Sequence, residues 1–460
     1  MAESRGMGMT RRSLLLTPFT AALTSPAEAA GCTEAVHHRF GDMVGLGVKF
    51  SQGQPIKELE MLLDLRVRWV RDAVHWYQVE PAPGRFDPFT PALLRQLEFY
   101  RRNDIGFVAL LTLGNPRAYP GAGAAPHDPQ AFGRFAVQAA RMLRAVGVRF
   151  VIEIGNEPHN SELAKALGGP WHGRPPAPWV GHYVSMVHAA VAQVKAFDPT
   201  IKLLSDDDMW VLHYRFLEAG LPAALDGFAI HPYTPGPPEL TAVAHDTDWV
   251  RPFSVVDPSR AFGSAVQRLR AQGRAKLACA PEIWVTEWGW AVGDASVKHS
   301  VTDAMLVAYL PRAYILAAAA GVEVLCWFSA NDSVDGPMGL TRNDGTRRDS
   351  YVSFKTMTAQ LGDHRLVRQI AGKQTPTSGL QVFEFEGPRG RKLVAWSVDG
   401  PPRQWRWPAA GAAPLAVVDV MGRDVPAGAG ARTITIGAAP VYVQTDRSDA
   451  DLDASLAAAA

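Results

Sequence analysis

Two glutamates lie in short motifs whose residue types suit acid–base and nucleophilic chemistry. Glu157 lies in a Gly-Asn-Glu-Pro sequence at residues 155–158, and Glu287 lies in a Thr-Glu-Trp-Gly-Trp sequence at residues 286–290. Cleavage of an acetal needs one carboxylic acid to protonate the leaving oxygen and one carboxylate to capture the oxocarbenium-like carbon. Either motif alone is a weak signal, so the interpretation depends on where the fold places the two glutamates.

The sequence around the motifs predicts an α/β fold, a (β/α)8 barrel. Beyond residue 40, short β-rich apolar runs alternate with helical patterns, which is typical of a parallel sheet. In one such helical pattern Asp128 can cap the helix, Pro129 suits its first turn, and Gly147 can end it. Eight strands suit a barrel with insertions. The predicted strands are Gly45–Phe50, Val67–Asp72, Gly106–Leu113, Phe150–Ile154, Ile201–Ser205, Gly227–His231, Ile283–Thr286 and Val322–Phe328.

The two motifs follow the predicted fourth and seventh strands. These strands face each other across a barrel, and the loops after the strands line the functional face. We therefore expect Glu157 and Glu287 to reach one bond from either side, about 5 Å apart. Long connections at residues 160–178 and 234–256 follow the fourth and sixth strands and are predicted to shape a substrate cleft.

The chain beyond the barrel predicts a second, smaller domain. Residues 40–358 are predicted to form the catalytic barrel, residues 360–446 a small all-β, sandwich-like domain, and residues 447–460 a disordered tail. The predicted strands of the β domain are Leu380–Phe385, Lys392–Val398, Leu415–Val420, Thr433–Ile436 and Val441–Gln444.

The first 30 residues predict an export signal. A twin arginine at residues 11–12 precedes a short apolar run, and Ala-Glu-Ala at residues 27–29 is a small-x-small cleavage site. We therefore expect a periplasmic or extracellular protein. Cys32 is a poor match to a lipid-anchoring box, because alanine stands where leucine is usual. The cleavage point and the true start codon are left open.

The composition argues against nucleic acid or a membrane as the partner. Lys and Arg number 46 and Asp and Glu number 45, a net charge of +1, so no long-range field of one sign is expected. The apolar run Ala304–Ala320 contains Pro311 and is too short to cross a bilayer, so we expect a buried barrel helix. Three cysteines suit no disulfide framework and no zinc site, and Cys279 and Cys326 are expected to be buried thiols. We expect a monomer.

With these motifs the chain resembles the retaining glycoside hydrolases of clan A over residues 45–355. The resemblance implies that Glu157 is the general acid/base and Glu287 the nucleophile. Arg71, at the end of the second predicted strand, matches an Arg beside the nucleophile, and its charge would keep Glu287 ionised. Asn156 matches an Asn that binds the sugar 2-hydroxyl. Neither a metal nor an organic cofactor is implied.

Further aromatic and imidazole side chains match the same clan. His231 matches a His that orients the acid/base, Tyr233 matches a Tyr that donates to the nucleophile, and Trp327 matches the platform under the cleaved sugar. Trp288 and Trp290 flank the nucleophile and are candidates for stacking on sugar rings. The resemblance therefore implies a substrate site built from several strand ends.

Within the clan, the chain is most similar to family 39, which includes endoglycosidases that cut biofilm exopolysaccharide. Residues 67–87, an Ile-His-Pro-Tyr sequence at residues 230–233 and the trailing β domain carry this likeness, much of which family 5 shares. One departure is Asp-Asp-Asp at residues 206–208, which matches no feature of the clan and is expected to be a solvated acidic loop.

The resemblance implies a retaining glycoside hydrolase, endo-acting on a bacterial surface or extracellular polysaccharide. The long loops and 13 Trp suggest a cleft with several subsites. An exo-acting glycosidase of the β-xylosidase or α-iduronidase kind, and a family 5-like cellulase or mannanase, remain open as alternatives. A non-catalytic polysaccharide-binding protein is the alternative from another class. The sugar, the linkage and the choice between hydrolysis and transglycosylation are also left open.

Overall fold

Eight parallel strands close into a barrel in the computed structural model of the protein. Each strand pairs with the next along the chain and the eighth pairs with the first, which confirms the predicted (β/α)8 barrel. The predicted export signal and tail lie outside the described residues. The structure describes residues 39–54, 59–120, 128–160, 164, 167, 177–208, 210–241, 248–293, 300–407, 414–425 and 432–446. The barrel strands are β1 Val44–Gly47, β2 Trp69–Val74, β3 Gly106–Leu111, β4 Phe150–Ile154, β5 Leu203–Asp207, β6 Gly227–Ile230, β7 Glu282–Trp288 and β8 Leu325–Trp327.

Helices separate the barrel strands along the chain. The helix Pro129–Val146 begins and ends where the sequence predicts, because the Asp128 side chain accepts a hydrogen bond from the backbone of Gln130 and Gly147 adopts a φ of 76°. The helix Asp303–Ala319 is buried along most of its length, as expected. No helix in the described parts of the chain is both long and apolar enough to cross a membrane. The α-helices of these parts are α1 Leu59–Asp64, α2 Trp76–Val79, α3 Pro91–Arg102, α4 Pro129–Val146, α5 Pro178–Phe197, α6 His213–Glu218, α7 Phe262–Arg274, α8 Asp303–Ala319 and α9 Asp349–Leu361.

Side chains at alternate strand positions fill the barrel interior in layers. An apolar layer includes Trp69 and Trp284, whose rings meet edge to face at 4.9 Å between centroids. Residues i and i+2 of a strand share a face, so the next layer comes from positions two residues further on. That layer is polar and buried, and it lies next to the C-terminal mouth of the barrel. Its members are Arg71, Glu153, Asp206, His231 and Thr286.

The predicted all-β domain follows the barrel and has its own apolar core. A five-stranded antiparallel sheet and a two-stranded sheet enclose buried residues that include Trp405 and Trp407. The sequence analysis did not predict the first strand, because most of its side chains are exposed or half-buried and lack an alternating pattern. The larger sheet has the strand order β9-β10-β11-β15-β13, and β12 pairs with β14. These strands are β9 Arg365–Ala371, β10 Leu380–Gly387, β11 Gly390–Ser397, β12 Arg403–Arg406, β13 Ala416–Val418, β14 Thr433–Ile436 and β15 Val441–Thr445.

The cysteines differ in part from expectation. Cys326 is a free and fully buried thiol inside the barrel, as predicted. Cys279 is disulfide-bonded, so the expectation of a second buried thiol was wrong. Spacing along the chain carries little information about which cysteines meet in space.

A buried ion pair ties the barrel to the β domain. Glu239, in the loop after β6, accepts hydrogen bonds from Nε of Arg312 on α8 at 2.9 Å and from Nε1 of Trp396 on β11 at 2.8 Å. A second nitrogen of Arg312 also donates to Glu239, and all three side chains are buried. The same loop contains His231 and Tyr233, so the β domain supports a segment of the predicted site.

Removing one partner of this pair should destabilise the whole protein. We expect Arg312→Met to lower the free energy of unfolding by about 3–5 kcal/mol, because Glu239 would keep an uncompensated buried charge. The matched control is Arg365→Met, which breaks the exposed Arg365–Glu386 pair and should cost less than about 1 kcal/mol. Urea denaturation measures the free energy of unfolding of both variants. An equal loss of this free energy in Arg312→Met and Arg365→Met would contradict the prediction.

His213, the first residue of α6, is fully buried and neutral. Its Nε2 lies 2.9 Å from the carbonyl oxygen of Ala229 and its Nδ1 lies 3.2 Å from the hydroxyl of Ser205. Burial lowers the pKa of His213 to about 3. Protonation at mildly acidic pH therefore favours the unfolded chain, in which the imidazole has an ordinary pKa.

His213 should accordingly contribute a loss of stability as the pH falls from about 6.5 towards 3. The loss from His213 alone should reach about 2 kcal/mol at pH 5, since each pKa unit is worth about 1.4 kcal/mol. His364, whose pKa burial lowers to about 4, adds a loss of the same sign. Urea denaturation at pH 7, 6 and 5 should show a shallower slope for His213→Gln than for the wild type. If the free energy of unfolding fell equally steeply with pH in His213→Gln and in the wild type, the loss would not come from His213.

Candidate active site

The two glutamates of the sequence motifs meet at the C-terminal mouth of the barrel. Glu157 follows β4 by three residues, and Glu287 is the last residue but one of β7. One carboxylate oxygen of Glu157 and one of Glu287 lie within 4.8 Å of each other, with Nδ1 of His231 beside both. This separation suits a covalent double displacement, because an inverting mechanism needs carboxyl groups about 6.5–9.5 Å apart.

Two donors hold the Glu287 carboxylate, one on each oxygen. A guanidinium nitrogen of Arg71 donates to Oε1, and the hydroxyl of Tyr233 donates to Oε2 at 2.8 Å. Glu287 is only 7% exposed, so the charge of Arg71 acts on it with little screening by water. Burial raises the pKa of Tyr233 well above its ordinary value and the charge of Glu287 raises it further, so the phenol remains a donor. These two contacts fix the position of the Glu287 carboxylate.

Arg71 connects Glu287 to two further side chains. Its Nε and Nη2 bind the two oxygens of Glu153 at 2.7 and 2.9 Å, and Nη2 also donates to Oδ1 of Asn156 at 2.7 Å. Arg71 uses the amide oxygen of Asn156, and within the described parts of the chain the NH2 group of that amide has no recorded hydrogen bond. One buried guanidinium thus orients the nucleophile candidate and its neighbour on β4 together.

Glu153 is a site residue that the sequence analysis missed. It lies inside the barrel on β4 and is fully buried. Burial alone would raise the pKa of Glu153, but Arg71 and His231 outweigh it and lower the pKa to about 2. The signal was present in the sequence, since Glu153 is the one charged residue in the apolar run Phe-Val-Ile-Glu-Ile at residues 150–154.

Glu157 has one oxygen bound and the other more open. Nδ1 of His231 lies 3.1 Å from Oε1, whereas Oε2 has a 3.4 Å contact with the amide of Asn160. Its side chain is 20% exposed, compared with 10% for the side chain of Glu287. A carboxyl group placed in this way can exchange a proton with a ligand in the cleft.

His231 is an imidazolium that lies among carboxylates. Burial would lower its pKa, but the charges of Asp206 and Glu287 overcome this and raise the pKa well above the ordinary value. Its Nε2 lies 3.2 Å from Oδ1 of Asp206 and 3.1 Å from the hydroxyl of Thr286, which in turn donates to Glu153. Buried polar groups therefore connect the two motif glutamates without interruption.

The three aspartates at the end of β5 do not form the solvated loop that was expected. Asp206 and Asp207 are fully buried, because β5 extends through Asp207 and carries them into the barrel mouth. Nδ1 of His159 lies 2.7 Å from an oxygen of Asp207 and 2.8 Å from one of Asp208. Burial would lower the pKa of His159, but the two aspartates raise it to about 10. The expectation was wrong because the strand begins and ends two residues later than the pattern indicated.

Three clusters among the described residues bring a His and two carboxylates close enough to hold a cation. Each contains either His231 or His159. In each cluster one imidazole nitrogen lies 2.7–3.2 Å from a carboxylate oxygen, so the described residues satisfy one another by hydrogen bonding. The members of the clusters are Glu153, Asp206 and His231; Glu157, His231 and Glu287; and His159, Asp207 and Asp208.

The expected sugar contacts of three tryptophans do not fit their positions. Trp288, Trp290 and Trp327 are all fully buried, so none presents a face to a ligand. The ring of Trp290 lies 5.7 Å from that of Trp288 and 5.8 Å from that of Trp327, measured between centroids. Packing against the surrounding helices, rather than sugar stacking, explains these three side chains.

Phe328 and Lys49 are further residues at the mouth that the sequence analysis did not single out. Phe328 follows Trp327 and therefore points to the opposite side of the strand, where it packs with Tyr233 and Met338. The ammonium of Lys49, which follows β1, lies 4.9 Å from the centre of the Phe328 ring and forms an ion pair with Asp335. The buried Trp327 is therefore not at the mouth, whereas the next residue, Phe328, lies beside Tyr233.

Comparison with known proteins gives similarity of structure but not of sequence. No model of a protein family and no curated protein matches the sequence. A family 39 glycoside hydrolase from Bacteroides cellulosilyticus WH2 has a TM-score of 0.70 at 19% identity, over 88% of this chain and 81% of that chain. A family 39 enzyme from Xanthomonas axonopodis pv. citri has a TM-score of 0.53 at 16% identity, over 82% and 76%.

A family 30 endoxylanase from Clostridium papyrosolvens C71 is similar in the same way. It has a TM-score of 0.53 at 12% identity, over 88% of this chain and 96% of that chain. At identities this low, the similarity shows a shared fold, and the activity has to be inferred from the residues of the site. The chain has the fold of these glycoside hydrolases and is similar in structure to two family 39 enzymes, in agreement with the fold that the sequence resemblance implied.

Proposed function

We propose that the protein is a retaining glycoside hydrolase in which Glu157 is the general acid/base and Glu287 is the nucleophile. The observation that carries the proposal is a pair of carboxylates with oxygens within 4.8 Å of each other and with different partners. Arg71 and Tyr233 bind both oxygens of Glu287, while Glu157 is the more exposed of the two. Two carboxyl groups with unlike surroundings can divide acid and nucleophile between them.

In the first step Glu157 gives its proton to the leaving glycosidic oxygen as Glu287 attacks the anomeric carbon. The bond from this carbon to the leaving oxygen breaks, and a glycosyl ester of Glu287 forms. Asn156, held by Arg71, is placed to bind a hydroxyl of the same sugar. Phe328, beside Tyr233, forms one wall of the site that receives it.

In the second step a water molecule gives a proton to Glu157 and attacks the anomeric carbon. The ester bond breaks, Glu287 leaves as a carboxylate, and Glu157 is again protonated. Two inversions at one carbon give overall retention. A sugar hydroxyl in place of water would give transglycosylation with the same residues.

We further propose an extended polysaccharide as the substrate, cleaved internally. The connections at residues 160–178 and 234–256 follow strands whose ends carry the site, and their length suits a cleft with several subsites. One observation favours exo action instead. Lys49, just after β1, forms an ion pair with Asp335 in the loop after β8 beside Phe328, and a bridge of this kind would close one side of a cleft.

We also propose that the protein is exported. The twin arginine and the small-x-small sequence in residues 1–30 suggest a signal, and the disulfide at Cys279 fits an oxidising compartment. A structural neighbour from Bacteroides fragilis, 11% identical with a TM-score of 0.54, is described as a conserved exported protein. Mass spectrometry of the protein from periplasmic and culture fractions should find an N-terminus near residue 30.

The test of the hydrolase proposal is the stereochemistry and size of the products. Purified protein is incubated with a panel of β-linked polysaccharides, and new reducing ends are quantified. Proton NMR of the first products should show the anomer of the substrate linkage, and an oligosaccharide ladder would support endo action. Monosaccharide alone would favour the exo alternative. An inverted anomer would contradict the mechanism, and glycan binding by calorimetry without any turnover would favour a binding protein.

A further inference from the structure

We propose that Asp206 is a positioning residue for the general acid/base, because it holds both the main chain of Glu157 and the imidazole that binds its side chain. This inference rests on the proposed function and extends it to a residue for which the sequence resemblance implied no role.

Asp206 closes a ring of contacts around Glu157. Its Oδ2 accepts a hydrogen bond from the backbone N–H of Glu157 at 2.7 Å, and its Oδ1 lies 3.2 Å from Nε2 of His231. The other nitrogen of His231, Nδ1, lies 3.1 Å from the Glu157 carboxylate. One carboxylate on the neighbouring strand β5 therefore holds the backbone of Glu157 directly and its side chain through His231.

The main-chain contact matters because the backbone of Glu157 is unusual. Glu157 has a φ of 47°, in the left-handed region that costs a residue with a side chain roughly 1 kcal/mol or more. Gly155, two residues earlier, also has a positive φ, of 82°. The turn after β4 thus needs an external acceptor to hold Glu157 in place, and Oδ2 of Asp206 is that acceptor.

The side-chain contact matters because His231 serves both catalytic carboxylates. Its Nδ1 lies 3.1 Å from Glu157 and 3.9 Å from Glu287. When Glu287 becomes a neutral ester, the negative charge passes to Glu157, and the imidazolium remains beside it. The charge next to His231 is therefore constant through the reaction, provided that a fixed partner keeps the ring cationic and in place. Asp206 is that partner, since its Oδ1 lies 3.2 Å from Nε2 of His231, the ring nitrogen that does not face Glu157.

The surroundings of Asp206 leave it few other roles. It is fully buried, and Oδ1 makes no hydrogen bond of normal geometry within the described residues, so the imidazolium is its main compensation. The phenol of Tyr183 on α5 accepts a hydrogen bond from the Asp206 backbone at 2.8 Å. The other charged groups nearby, Arg71 and Glu153, bind each other. A buried acid with this pattern is explained by the acid/base that it supports.

The experiment compares leaving groups, because a poor leaving group needs the proton of Glu157 and a good one does not. The probes are phenyl and 2,4-dinitrophenyl glycosides of the mono- or disaccharide that the wild type releases from its polysaccharide. We expect Asp206→Ala to lower kcat/KM for the phenyl glycoside by about 10²-fold, and for the dinitrophenyl glycoside by less than about threefold. Asp206→Asn keeps an acceptor for the N–H of Glu157 and should fall between Asp206→Ala and the wild type.

Asp226→Asn is the matched control. Asp226 accepts the backbone N–H of Leu203 at the opposite end of β5 at 2.8 Å and pairs with Lys195, so it resembles Asp206 in its contacts but not in its location. This variant should change kcat/KM for the phenyl and the dinitrophenyl glycoside by the same small factor. The inference would be overturned if Asp206→Ala lowered kcat/KM equally for the two glycosides. If the alanine variant does not fold, the same comparison is made with Asp206→Asn. Failure of the proposed function would look different, since the wild type would then release no sugar at all.

Discussion

Glu287→Gln should lower kcat on polysaccharide by about 10⁴-fold or more, because an amide cannot form the glycosyl ester. The fold should survive, since glutamine has the same shape and its carbonyl oxygen can still accept from Arg71 or Tyr233. Reducing-end release measures the loss, and circular dichroism with a urea midpoint reports on the fold.

Glu282→Gln is the matched control for this experiment. Glu282 begins the same strand, β7, and binds Lys202 and the indole of Trp284 at the opposite end of the barrel. Its substitution should leave kcat within about threefold of the wild type, as expected for a surface ion pair remote from the chemistry. If Glu282→Gln and Glu287→Gln lost activity to the same degree, the nucleophile assignment would be wrong.

Glu157→Ala should show a second large effect that depends on the leaving group. With an unactivated sugar as leaving group, the loss should be about 10³-fold or more, because general acid catalysis contributes about 10²–10⁴ and the second step loses its base as well. With a dinitrophenyl glycoside the first step needs no acid, so a burst of dinitrophenol should precede slow hydrolysis. Stopped-flow absorbance measures the burst.

External azide gives an independent check on the role of Glu157. A small anion needs no general base, so azide should accelerate turnover of Glu157→Ala and leave a glycosyl azide of retained configuration, which proton NMR identifies. Azide should have no such effect on Glu287→Gln, which forms no glycosyl ester. Rescue of the Glu287 variant, or an azide product of inverted configuration from the Glu157 variant, would mean that the two roles are exchanged.

Much of the fold could be predicted because local patterns along the chain were sufficient. All eight barrel strands lie within a few residues of their predicted positions, and α4 has its predicted cap at Asp128 and its predicted end at Gly147. Parallel strands joined by helices bring their C-terminal ends to one face of a barrel. For that reason six residues that follow or end strands could be grouped before the structure was known, and the structure does bring them together. They are Arg71, Asn156, Glu157, His231, Tyr233 and Glu287.

The errors concern which side of a strand a residue faces. Trp327 and Phe328 are neighbours in sequence, yet one packs against helices and the other lies at the mouth beside Tyr233. A shift of one residue moves a side chain to the other face of a strand, and aromatic character alone does not distinguish the two. The same ambiguity made Trp288 and Trp290 look like sugar contacts when both are buried.

The sequence by itself determined the order of the elements and the two carboxylates that end β4 and β7, because hydrophobic periodicity and short motifs are local. Only the tertiary structure decided that Glu153 and Asp206 belong to the site, since closing the barrel turns alternate positions on separate strands into one buried layer. In isolation Asp206 looked like part of an acidic loop. Inside the barrel, with water excluded, its contacts with His231 and with the backbone of Glu157 make it a support for the proposed acid.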